Sequence, residues 1–165
     1  MAAFARQVRE QEYSLAERRT IALGVSLMGK KIEFNWSDAW LLLAVIYAGN
    51  EGADLERIIE VGDGIEHAIF NPDELESGLA RLTSSGYIKE NDGVFQATPK
   101  VMRAYLETTP TRSYIHKDLE RIEKLIGAAS ATSDQPHSNN LKYAGFSMAA
   151  YDEAVNRYIE RARKP

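Results

Sequence analysis

Arg81, Thr83, Ser84 and Lys89 are residues of types able to contact phosphate, though few in number. A guanidinium and an ammonium neutralise phosphate charge, and two hydroxyls can hydrogen-bond its oxygens. Other candidates for chemistry are weaker. The three histidines, His67, His116 and His137, are scattered and lack metal-ligand spacing. His67 falls in a connector between helices, His116 on a helix face and His137 in a polar stretch. The chain has no cysteine, which excludes disulfides, thiolate metal sites and cysteine nucleophiles. No G-x-S-x-G or P-loop motif is present, and Gly62-Asp63-Gly64 lacks the strand that leads into a phosphate loop. Acids are numerous, but no pair stands out from the crowd. The sequence therefore predicts no enzyme, cofactor or metal. Trp36, Trp40 and Tyr47 are the aromatic residues available to line an effector pocket.

The four phosphate-compatible residues lie on a segment with dense local signals, Asn71 to Pro99. Asn71 is a good helix N-cap, Pro72 suits the first helical position, and Glu74 closes a capping box. Leu75, Leu79 and Leu82 form one apolar stripe at helical spacing, and Gly78 and Ala80 are small enough for close packing. Gly86 is placed for the left-handed conformation that ends a helix. Tyr87 and Ile88 open a strand, Asn91-Asp92-Gly93 suits a tight hairpin, and Val94 and Phe95 begin the return strand, which ends by Ala97. Thr98 and Pro99 then start another helix. Upstream, Ser37 is expected to cap a helix carrying Trp40, Leu41, Leu43, Ala44 and Tyr47, ending near Gly49. Asp54 is expected to cap a second, with Leu55, Ile58 and Ile59, stopped by Gly62 and Gly64. Ile65 to Phe70 reads as an apolar connector that tucks Ile69 or Phe70 under the third helix.

Three helices and a hairpin, from about Ser37 to Glu107, resemble the winged helix-turn-helix family of bacterial regulators. The resemblance is carried by the ELESGLARL run, the SGYI after it and the VFQATP that closes the hairpin, and it covers under half of the chain. The fold it implies is mainly α: a three-helix bundle with a two-stranded β-hairpin wing, here with N- and C-terminal helical extensions. In that family the third helix enters the major groove and the wing touches flanking DNA. The resemblance thus implies DNA contacts through the 72–85 helix and the 87–97 wing, with Arg81, Thr83, Ser84 and Lys89 as the contacting residues.

The charges oppose that role. From Ser37 to Glu107 there are thirteen acids against five bases, a balance of −8, more negative than the −4 of the whole chain. The third-helix start carries Asp73, Glu74 and Glu76, and the hairpin tip carries Glu90 and Asp92. Acids at a helix start favour its dipole, but they repel a phosphate backbone. The reading preferred from sequence is a non-enzymatic regulatory or adaptor protein acting through protein contacts, with DNA-binding transcription regulation as the alternative.

Flanking segments carry their own signals. Residues 1–36 read as an N-terminal helical extension with a capping box at Ser14 and Glu17, and Met28 followed by Gly-Lys-Lys is a candidate internal start. Residues 37–107 are the resembling module. Within residues 108–127 a helix carries Ile115, Leu119, Ile122 and Ile126 at coiled-coil spacing. Residues 128–146 read as a polar, mobile linker. Residues 147–165 read as a C-terminal amphipathic helix capped by Ser147, with Met148, Tyr151, Val155, Tyr158 and Ile159 toward one side. Two apolar stripes beyond the needs of the module predict a homodimer through Ile115, Leu119, Ile122, Ile126, Tyr151, Val155, Tyr158 and Ile159, the alternative being a monomer whose last helix folds back on the domain. An apolar content of 44% with 27% charged residues is ordinary for a globular chain, and no apolar run is long enough to span a bilayer. Together with the lack of a secretory signal and of cysteine, this predicts a cytoplasmic protein.

Overall fold

Asn35, not Ser37, opens the first helix. Asn35 Oδ1 accepts from the Asp38 N–H at 3.0 Å while Asp38 Oδ2 accepts from the Asn35 N–H at 2.9 Å, a reciprocal cap. Ser37 instead donates to Asn35 Oδ1 at 2.8 Å. The computed structural model describes residues 32–128 and 141–164, and from Glu33 onward the chain is one compact unit. The readings of residues 1–31, including the Ser14–Glu17 capping box, lie outside the described residues. Helix α1 (Trp36–Ala48) is buried at every position from Ser37 to Ile46. A helix buried on all sides has to be wrapped by its neighbours, and α1 is the axis on which the others pack.

Helix α2 (Leu55–Glu66) is capped by Asp54, whose Oδ1 accepts from the Arg57 N–H at 2.8 Å. It passes through Gly62 and Gly64 rather than stopping there, and ends at His67 in the left-handed conformation, φ 55°. Ile65 is therefore helical, and the expected connector begins only at His67. Gly62 serves close approach: a Cβ there would lie 2.4 Å from the Phe70 ring. Its carbonyl accepts from Trp40 Nε1 at 3.0 Å, and Phe70 stacks on Trp40 with ring centroids 3.7 Å apart.

Helix α3 (Pro72–Ser84) follows the sequence reading. Asn71 and Glu74 form the capping box, at 2.8 and 3.2 Å. At the other end Tyr87 N–H reaches the Leu82 carbonyl at 2.9 Å and Gly86 N–H the Thr83 carbonyl at 3.0 Å, with Gly86 at φ 71°, a Schellman stop. Leu75, Leu79 and Leu82 are fully buried. Strands β1 (Ile88–Asn91) and β2 (Val94–Ala97) pair antiparallel, Ile88 opposite Ala97 and Asn91 opposite Val94. Asp92 and Gly93 turn the chain at φ 51° and 78°, matching the twist of the strands. Ala53 adds a bridge to β2, exchanging two 2.8 Å hydrogen bonds with Phe95.

Three more helices follow: α4 (Pro99–Thr108), α5 (Ile115–Ile126) and α6 (Met148–Ala162). Thr98 precedes α4 but does not cap it; its hydroxyl donates to the Gly86 carbonyl at 3.0 Å and ties α4 to the end of α3. Ser147 does cap α6, accepting from the Ala150 N–H at 3.2 Å. The fold is thus mainly helical with a small two-stranded hairpin. Among the described residues no helix is long and apolar enough to cross a membrane.

The expected intersubunit stripes lie within the chain. Leu119, Ile122 and Ile126 are buried in the core with α1, whereas Ile115, at the exposed end of α5, is 42% accessible. Tyr151, Val155, Tyr158 and Ile159 are half-buried because α6 folds back on α2. Residues 129–140 of the expected linker lie outside the described residues. Residues 141–146 are docked: Tyr143 meets Phe95 at 5.8 Å between centroids and Phe146 meets Tyr151 at 6.2 Å.

Candidate functional site

One of the four residues read as possible phosphate contacts faces inward. Arg81 is 4% exposed. Its Nε donates to Asp38 Oδ2 and its terminal nitrogen to Asp38 Oδ1, both at 2.8 Å, and it also reaches Ser77 Oγ at 3.3 Å. This is a bidentate, charge-assisted pair that joins α3 to the first turn of α1. Gly78 makes room for it: a Cβ there would lie 2.8 Å from the Leu41 side chain and 3.1 Å from Asp38 Oδ1. A partial signal was present in the sequence. Arg81 falls one helical step after Gly78, on the flank of α3 where only a small residue fits.

Thr83, Ser84 and Lys89 do not assemble around it. Ser84 Oγ donates to the Ala80 carbonyl of its own helix at 2.6 Å. The Thr83 hydroxyl is buried without a hydrogen-bond partner among the described residues. Lys89 is exposed on β1, beside an open cleft of about 250 Å³ that Asn50, Gln96 and Met102 also line. At the start of α3, Asp73 is exposed and Glu76 pairs with Lys142 at 3.1 Å. At the hairpin tip Glu90, Asn91 and Asp92 are all exposed, and Glu90 Oε1 accepts from the Gly93 N–H at 2.6 Å.

Asp118 on α5 gathers four side-chain donors. It is 3% exposed. Tyr47 and Tyr105 donate to its Oδ2 at 2.6 and 3.1 Å, and Ser113 and Arg121 to its Oδ1 at 2.6 and 2.5 Å. Burial pushes this carboxyl upward, but the hydrogen bonds from Ser113, Tyr47, Tyr105 and Arg121 outweigh it and leave it below the usual range. The two phenols move up, each mainly through burial, with the Asp118 charge adding to it. Phenols that hold their protons this firmly are poor nucleophiles and bases. The cluster is a clamp joining α1, α4 and α5, and Tyr47 is employed there rather than in a pocket with Trp36 and Trp40.

A second polar seam joins α6 to α2. Arg157 Nε donates to Glu56 at 2.9 Å, and Arg161 reaches Glu56 and Glu60, each at 3.0 Å. Tyr158 donates to Asp63, and Tyr151 donates to the Phe70 carbonyl at 2.7 Å. Arg157 and Arg161 thus meet their acidic partners within the same chain. The histidines stand apart: His67 ends α2, His116 stacks on Tyr114, and His137 lies outside the described residues. No cluster able to hold a metal ion is found among the described residues. No protein-family model, curated protein or solved structure matches the chain.

Proposed function

We propose that this chain is a winged-helix protein that works through protein contacts, as a non-enzymatic regulator or adaptor. In this reading α1, α2 and α3 are the helical core, the hairpin is the wing, and the Ala53–Phe95 bridge is the remnant of a third strand. The observation that carries the functional half is the Arg81–Asp38 pair. It withdraws the one arginine of α3 from any DNA-facing role and leaves the start of that helix to Asp73, Glu74 and Glu76. The balance of thirteen acids against five bases between Ser37 and Glu107 points the same way, because phosphate neutralisation supplies most nonspecific affinity.

The alternative, a DNA-binding regulator, keeps only the exposed Ser84 and Lys89 as its contacts, since the Thr83 hydroxyl is buried. Fluorescence anisotropy with mixed duplex fragments separates the two. The protein-contact reading expects binding no tighter than about micromolar at physiological salt, where specific regulators reach about 10⁻⁸ M or better. Nanomolar binding that weakens steeply with salt would overturn it. A homodimer built on Leu119, Ile122 and Ile126 is not part of this reading, since those side chains are buried within the chain.

A further inference from the structure

The α6–α2 seam has the composition of a binding interface rather than of a core. Glu56, Glu60 and Asp63 stand at successive turns of one α2 face, a single acidic stripe. The facing residues of α6 are Tyr151, Ala154, Arg157, Tyr158 and Arg161, which also recur turn by turn. Two arginines answer two glutamates, one phenol answers Asp63, and the other answers a backbone carbonyl. Ala154 is the one α6 residue that is fully buried, a small side chain in the middle of the contact. The arginine side chains remain 50% and 54% exposed, so the charges that hold α6 act through water and are screened by salt. The core beneath has its own filling in Ile58, Ile59 and Ile65 of α2.

We propose that this α2 face is a protein-docking surface for a basic amphipathic helix, and that α6 is the internal occupant with which such a partner competes. The proposal rests on the reading of the chain as a protein-contact scaffold and names the partner's chemistry. A partner helix carries two arginines one turn apart, a phenol beside the first, and a small residue one turn before it. The covalent connection between Gly127 and Ser147 keeps α6 at an effective concentration on the order of millimolar. A free helix therefore binds weakly while the charge latch holds, and well once it opens.

The test uses the full chain and a fluorescent peptide spanning residues 147–164 as the probe. Wild-type chain binds the peptide weakly. The Arg157→Glu/Arg161→Glu chain, whose own α6 meets like charge at Glu56 and Glu60, binds it at least about tenfold more tightly, since the tethered competitor is lost. Ala154→Arg, which displaces α6 by bulk rather than by charge, gives the same gain. Adding Glu56→Lys and Glu60→Lys to the Ala154→Arg chain, which keeps its own arginines on α6, abolishes binding. Opened chains that bind no better than wild type overturn the proposal, and so does binding that survives the lysine substitutions. Failure of the scaffold reading itself registers separately, as nanomolar duplex binding by the unaltered chain.

Discussion

Arg81 and Asp38 are forty-three positions apart and share two 2.8 Å hydrogen bonds at the junction of α3 and α1. Asp38 is also half of the α1 capping box, so one carboxylate fixes both a helix start and a helix–helix contact. Removing one member of a buried pair strands the other's charge, which costs about 3–5 kcal/mol. Arg81→Ala should lower stability by that amount in urea melts and leave the weak duplex affinity unchanged. A loss of duplex affinity without a loss of stability would return Arg81 to the surface.

Leu79→Ala tests the core under α3. Leu79 and its stripe partners Leu75 and Leu82 are fully buried. Truncation leaves a cavity as well as losing transfer energy, so a cost of about 2–5 kcal/mol is expected. Denaturant melts that show under about half a kcal/mol would mean that the stripe is not core.

The third helix and hairpin were legible because their signals are local. Asn71 and Glu74 lie three residues apart, Gly86 follows directly on the helix it ends, and Asp92-Gly93 are adjacent. What the sequence concealed depends on distant partners. Gly62 reads as a stop until Phe70 is seen against it, and Arg81 reads as a surface cation until Asp38 is placed beside it. Ala53 has no periodicity of its own, and only Phe95 makes it a bridge. The stripes of α5 and α6 were legible as faces needing cover. Periodicity states that a face is covered but not by what, and here the cover is the same chain.

The Asp118 clamp makes stability depend on acid pH. Its folded carboxyl titrates below the unfolded value because four donors outweigh the effect of burial. The contribution is complete above the unfolded range, near pH 4, and is lost as pH falls through the lower folded value. Asp118→Asn should cost about 1.5–3 kcal/mol at neutral pH, as hydrogen bonds to a charged group do. The variant's stability should also fall less steeply between neutral and acid pH than that of wild type. Parallel pH profiles for the two proteins would show that the carboxylate is not what the clamp uses.

Two glycines of α2 should respond to alanine with opposite signs. Both lie inside the Leu55–Glu66 helix, where alanine is the better helix former by about 0.5–1 kcal/mol. A Cβ on Gly64 meets nothing within 4 Å, so Gly64→Ala should realise that gain. A Cβ on Gly62 would sit 2.4 Å from the Phe70 ring, and Phe70 is held by its stack on Trp40. Either the ring shifts or α2 does, and overpacking of this kind costs about 1–3 kcal/mol, more than the propensity returns. Gly62→Ala should therefore melt lower than wild type and change the emission of Trp40, while Gly64→Ala melts higher with its emission unchanged. Stabilisation by both would place Phe70 away from α2 and return Gly62 to the role of an ordinary helix glycine.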